Sequence, residues 1–511
     1  MRPPRSGEEQ LRQFLAVSLG RIFSCLQITQ GFAHDFAGIG VASALHLLSD
    51  ESFEFLAQSQ FHKLIVHELP GIVNFPQLLV MPQFGVESSL WLETGAERRR
   101  CYFSIRRGRV DALPIARRAT AWHLSPVMRF EFATAQKIVF GPGTAQEAGR
   151  LAAGLGRHAL VAAGRDSRRA APLLERLREA GVGSTVFSIA GEPDLETIRR
   201  GSALARQEGC DLVISLGGGS VLDAGKAIAA MMTNDGDLLD YIEIIGRGRT
   251  LAKPSAPFLA IPTTAGTGSE ATRNAVLASP EHRVKVSLRS PFLLPAIALV
   301  DPELTRDLPP GITAHTGLDA LTQLIEPYTC LRANPMTDAL CEEGMRRVAR
   351  SLRAAFVNGA DAAAREDMAL ASLFGGMALA NAGLGAVHGL AGPIGGMFPA
   401  PHGAVCAALL PHVMEANLRA LRQRQPDSPA LSRYQTVARL LTGKSQAGAD
   451  EGVEWVCALV SDLQVSGLAR YGIKPANAAE LAVKASQASS MKANPIVLTP
   501  AELTAVLEKA M

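Results

Sequence analysis

The chain has 511 residues, which at about 150 residues per domain sets an expectation of roughly three domains. Its 51 basic and 48 acidic residues leave a net charge of +3, so no global field selects for nucleic acid, an acidic membrane surface or a polyanionic partner. Charged residues make up 19% and hydrophobic ones 47%, a composition that excludes a disordered chain and fits a globular enzyme.

Residues 1–127 differ in texture from the rest. The stretch from Glu97 to Arg118 is dense in arginine, and neither helical nor alternating periodicity persists for long. No motif occurs there. This segment is expected to be an extension, and Met128 stands where the texture changes. Arg2 and Arg5 are followed by Glu8 and Glu9 with no uninterrupted apolar core, so a secretory signal is not expected. Seven cysteines without a CxxC pair read as reduced thiols of a cytoplasmic protein.

From Phe130 strands and helices alternate: IVFGPG, HALVAAG, the charged helix PLLERLREAG, then GSTVFSIAG. A polar helix near Leu195 to Glu208 and the buried strand DLVISLGGGS follow, with a helix expected to open at Val221. This is the punctuation of an open, mostly parallel α/β sheet over residues 128–303. After Asp301 and Pro302 the strand signal gives way to alanine- and leucine-rich helices through residue 511. The second half, 304–511, is expected to be all-α.

Met368 to Met414 contains no Asp, Glu, Lys or Arg, a run longer than a membrane span. Nine glycines, four prolines and three histidines interrupt it, and no basic flank marks an orientation. A buried, helical, site-bearing core is therefore expected, not a membrane segment.

Two loops carry binding chemistry. Gly217, Gly218, Gly219 and Ser220 join an apolar strand to a helix, where free amides and the positive helix end can hold a diphosphate. Asp223 and Lys226 follow in the first turns of that helix. The loop PTTAGTGSE, from Pro262 to Glu270, brings Thr263, Thr264, Thr267 and Ser269 to the end of the next apolar strand. Together the loops suggest one dinucleotide cradled between them. In the helical half, Asp319 and Gln323 lie four apart on one helix face, and His388 and His402 fall inside the uncharged run. A carboxylate and two imidazoles can bind a divalent metal and leave a position open to substrate.

GGGSVLDAGKA, PTTAGTGSEAT, LVDPELT, GLDAL and PHGAVCAALLPH, in that order, resemble the group III, or iron-containing, alcohol dehydrogenase family over about residues 128–511. The resemblance implies a nucleotide-binding α/β domain, a helical metal and substrate domain, and a homodimer. It also implies NAD- or NADP-dependent interconversion of an alcohol with an aldehyde or ketone. It assigns Gly217, Gly218, Gly219 and Ser220 to the diphosphate, with Asp223 and Ser269 beside them. Thr263, Thr264 and Lys285 go to the nicotinamide side and ribose.

The family's ligand set looks like one Asp and three His, matched here by Asp319, His388 and His402, with Gln323 in the remaining position. Gln323 offers only a neutral amide oxygen to Fe²⁺ or Zn²⁺. A further family histidine is Gly392 here, which removes an obvious proton carrier. Gly164 stands where NAD-selective members place an Asp, and Arg165, Arg168 or Arg169 could pair a 2′-phosphate. Three other readings remain: a metal-independent enzyme like maleylacetate reductase, a nucleotide-binding relic without catalysis, and a lyase like dehydroquinate synthase. The extension is expected to supply no catalytic residue.

Overall fold

The computed structural model describes residues 129–511 and, as backbone only, Glu87–Thr94, Glu97–Arg106 and Arg109–Ala112. Those three short segments are strands β1, β2 and β3 of an antiparallel sheet in the order β1-β2-β3. Thr94 pairs with Glu97, and Arg106 with Arg109. The chain divides into Met1–Pro126 and Val127–Met511.

The second unit opens with strands β4 (Lys137–Phe140), β5 (His158–Gly164), β6 (Gly183–Ile189), β7 (Leu212–Gly217) and β8 (Phe258–Pro262). A hairpin of β9 (Asn274–Ser279) and β10 (Val284–Arg289) follows, then β11 (Ile297–Val300). Helices α1 (Ala148–Ala153), α2 (Ala171–Glu179), α3 (Leu195–Gln207) and α4 (Gly219–Thr233) form the crossovers. Six strands make one parallel sheet in the order β4-β11-β8-β7-β5-β6. Helix α4 begins two residues before the expected Val221, because Gly218 already serves as its N-cap.

The strands read as nearly continuous apolar runs because both sheet faces are covered. Along β5, Ala159, Val161 and Ala163 join one core cluster while Leu160 and Ala162 join the other, the period of two that a strand imposes. Fully buried residues such as Leu160, Leu212 and Ile214 each contribute about 1.5–3 kcal/mol. The LVDPELT motif has a physical reason: Asp301, just after β11, accepts hydrogen bonds from the amides of Gly143 (3.1 Å), Ala145 (3.0 Å) and Glu303 (2.9 Å).

The helical half comprises α5 (Pro310–Thr329), α6 (Pro335–Val357), α7 (Ala362–Asn381), α8 (Ala386–Met397), α9 (His402–Arg424), α10 (Pro429–Thr442), α11 (Ala449–Asp462), α12 (Pro475–Ser486) and α13 (Pro500–Lys509). One large apolar cluster binds them, and the uncharged run supplies much of it, including Met368, Ala371, Val387, Leu390, Ile394, Val405 and Leu409. No single helix among the described residues is long and apolar enough to cross a membrane, and α7 and α8 meet at 96°.

Candidate functional site: two glycine-rich loops and a buried Asp-His-His-Cys cluster

The sheet changes direction at β5: the chain places β6 on one side of it and β7 on the other. Ligands of open α/β sheets bind at the carboxyl ends of strands at such a switch point. The glycine loop leaves β7 there, and the threonine loop leaves its neighbour β8, with Gly217 paired to Pro262. The Thr263 amide donates to the Gly217 carbonyl at 2.9 Å. A side chain at Gly219 would lie 2.6 Å from Thr267 Cγ2, and one at Gly218 would lie 3.3 Å from Thr264 Cγ2. The structure therefore brings the two loops together. No side chain caps α4, which leaves its N-terminal amides and positive dipole end for a ligand.

Asp223 and Ser269 hold this arrangement from below. Asp223 accepts from Ser269 Oγ at 2.5 Å and from the Val276 amide at 2.9 Å. Lys226, fully buried, reaches Asp223 Oδ1 (3.0 Å), the Ser269 carbonyl (2.9 Å), Thr272 Oγ1 (2.9 Å) and the Asn274 carbonyl (2.5 Å). Burying an ammonium costs several kcal/mol, and these four acceptors offset it. The hydrogen bonds of Asp223 and Ser269 tie the start of α4 to the threonine loop and to β9.

The threonine loop also meets the helical half. A side chain at Gly266 would lie 2.5 Å from Thr316 Cβ on α5. Gly268, at φ +59°, faces Gly376 of α7, and a side chain there would lie 2.3 Å from the Gly376 Cα. Lys285 sits on β10, runs past Gly395 of α8, and pairs with Glu192 at 2.7 Å.

Beyond this seam, α5, α8 and α9 converge. Asp319 Oδ1 lies 3.5 Å from His388 Nε2 and 3.8 Å from His402 Nε2. Cys406, one turn after His402, places Sγ 3.6 Å from His402 Nε2. The ligand atoms of these four residues all lie within 4.8 Å of one another. A tetrahedral ion with bonds of about 2.0–2.3 Å sets its ligands roughly 3.3–3.8 Å apart, the spacing of all three measured pairs. Asp319 Oδ1, His388 Nε2 and Gln323 Oε1 are buried without any hydrogen-bond partner. Polar atoms are costly to bury unpaired, so the donor set fits a cation. The Asp319 side chain is 2% exposed, that of His388 7% and that of His402 34%, which leaves the open side at His402.

Sequence reasoning missed Glu326. Its Oε2 lies 2.6 Å from His388 Nδ1, and its Oε1 accepts from the Val387 amide at 2.7 Å. Burial works against the His388 imidazolium, but Asp319 and Glu326 outweigh it and lift the group to about 10. Burial likewise opposes ionisation of Asp319, and His402 and His388 hold its carboxyl below the usual range. An ion at Nε2 would take the place of the second ring proton, while Glu326 would hold the remaining one on Nδ1. Glu326→Gln is expected to donate to Nδ1 instead and move the ring proton to Nε2. Metal affinity, measured by titration of the folded protein, should then fall about 10- to 100-fold; unchanged affinity would refute this role.

The comparisons with known proteins agree with this geometry. The family model described as iron-containing alcohol dehydrogenase matches residues 135–302, and the one described as Fe-containing alcohol dehydrogenase family, C-terminal, matches residues 313–511. The chain belongs to the iron-containing alcohol dehydrogenase family. Members of this family are oxidoreductases acting on CH–OH groups. A 1,3-propanediol dehydrogenase of Klebsiella pneumoniae is 39% identical over 343 residues, covering 66% of this chain and 86% of that protein. The crystal structure of a 1,3-propanediol oxidoreductase superposes with a TM-score of 0.70 at 34% identity, over 75% of this chain and all of that one. A sulfoacetaldehyde reductase from Bifidobacterium kashiwanohense, solved in complex with NAD+, gives 0.66 at 26% identity over 75% of this chain and 99% of that one. The expected fold, an α/β domain followed by a helical domain, is thereby borne out.

Proposed function

We propose that this family member is an NAD(P)-dependent alcohol dehydrogenase, equally an aldehyde or ketone reductase, whose hydride transfer is assisted by a divalent metal. The observation that carries this reading is the convergence of unpartnered, buried Asp319, His388 and Gln323 atoms beside His402, across a glycine seam from the two loops. Asp319, His388 and His402, with Gln323 nearby on α5, would hold the ion. When bound, the ion supplies Lewis-acid polarisation of the substrate oxygen and the dinucleotide supplies the hydride couple. The residues of the chain bind and orient: the α4 amides with Gly218, Gly219 and Ser220 hold the diphosphate, while Thr263, Thr264 and Lys285 face the nicotinamide side. The apolar wall of α8 and α9 excludes water from the reacting carbon.

Either dinucleotide suits the loop after β5. Nothing stands within 4 Å of a side chain built at Gly164, so no carboxylate there repels a 2′-phosphate. Arg168 is already paired with Asp166 at 2.8 Å, which leaves Arg165 and Arg169 as the candidate phosphate partners.

Gln323 favours a second, metal-independent reading like that of maleylacetate reductase. One experiment separates the two: metal content and alcohol oxidation measured on the same sample before and after chelation. Activity should fall with the metal and return on adding Zn²⁺ or Fe²⁺; full activity without bound metal would remove the ion's role.

A primary alcohol or its aldehyde is the proposed substrate class. Gly392 lies one turn after His388 on the same helix face, and a side chain there would meet nothing within 4 Å. The room it leaves should admit chains longer than ethanol. Gly392→Phe is expected to lower kcat/KM for a long-chain alcohol at least about tenfold more than for ethanol. Equal losses would place the room outside the substrate path.

A further inference from the structure

We propose that Cys406 is itself a metal ligand, joining one carboxylate and two imidazoles and leaving the exposed side beside His402 for the substrate oxygen. This rests on the metal-assisted reading above and goes beyond it in naming the fourth donor and the ion that the donor favours. A buried cysteine is usually only a small apolar side chain. Here it lies one turn after His402 on the same face of α9, fully buried, with Sγ 3.6 Å from the nitrogen that faces Asp319. The independent sign of a ligand is the set of orphaned atoms around it: Asp319 Oδ1 and His388 Nε2 are sealed from water with no hydrogen-bond partner, and a carboxylate oxygen of Asp319 lies within 4.8 Å of the thiol sulfur.

Gln323 offers a neutral amide oxygen where the family resemblance implies a third imidazole, so the set lacks one strong donor. A thiolate supplies it. Coordination forms one metal–sulfur bond and breaks the S–H bond, whose proton leaves to solvent; no electron is transferred. Softer sulfur and nitrogen donors suit Zn²⁺ better than an oxygen-rich set does, so this chain should prefer zinc to iron.

The test is the absorption spectrum of the full-length chain loaded with Co²⁺. A near-ultraviolet thiolate-to-cobalt charge-transfer band is expected in the native protein. It should be absent in Cys406→Ala and Cys406→Ser, and unchanged in Cys457→Ser, whose thiol is exposed on α11. Cobalt affinity of Cys406→Ala should be at least about tenfold weaker. The native spectrum already decides the matter if the variants do not fold. Bound cobalt showing ligand-field bands without the charge-transfer band, or a band that survives Cys406→Ala, would overturn the assignment of Cys406 and leave the metal-assisted reading intact. Failure to bind cobalt at all would overturn both.

Discussion

Asp319→Ala is expected to leave a folded protein that holds no metal and has lost at least about 10³-fold in kcat/KM, since Lewis-acid assistance is worth several kcal/mol and each ~1.36 kcal/mol is a factor of ten. The Asp319 carboxylate lies within 3.8 Å of both histidines. Without it no carboxylate remains in the four-residue cluster. The fold should survive, because Glu326 still pairs with His388 and continues to accept from the Val387 amide. Asp319→Asn separates charge from shape: it keeps the packing, offers one neutral oxygen, and should fall between the native chain and the alanine variant. Metal per chain by emission spectroscopy and kcat/KM on one alcohol are the measurements. An alanine variant within tenfold of native activity would dismiss the metal's part in catalysis.

Gly219→Val is expected to weaken NAD(P)H binding at least about 100-fold, the equivalent of roughly 2.7 kcal/mol. The new side chain would start 2.6 Å from Thr267 Cγ2, so one loop must move away from the other at the place where both approach the diphosphate. Enhancement of nicotinamide fluorescence on binding reads this directly and does not depend on turnover. Circular dichroism should stay native, because Gly219 lies at the first turn of α4 and not in the sheet. Retained fluorescence enhancement would show that the dinucleotide lies elsewhere.

The parts of this fold that were legible in the sequence have one cause in common. Strands β5, β7 and β8 are buried on both faces, so their codes are nearly continuous apolar runs ending in glycine or proline. The hairpin of β9 and β10 was missed because its strands are only half-buried and because Pro280 to Arg283 joins them without an Asn-Gly or Asp-Gly signal. That hairpin carries Lys285. Glu326 was legible in principle, since Asp319, Gln323 and Glu326 fall at i, i+4 and i+7 on one face of α5. Its role was not, because its partner His388 is 62 residues away. Cys406 was passed over as one of seven scattered thiols, although its spacing from His402 equals that between Asp319 and Gln323. The strands of the extension were hidden because β2 alternates no apolar face through its three consecutive arginines, Arg98, Arg99 and Arg100.

The seam of Gly266 against Thr316 and Gly268 against Gly376 sets a gauge for the whole enzyme. Where side chains interlock, a gap between two halves can be adjusted by swapping one residue for a longer or shorter one. Here backbone lies on backbone, and there is nothing to shorten. Lengthening is equally closed, since any added carbon would overlap atoms 2.3–2.5 Å away. Selection for a new substrate must therefore carve the walls and leave the span between the threonine loop and helices α5 and α7 as it is.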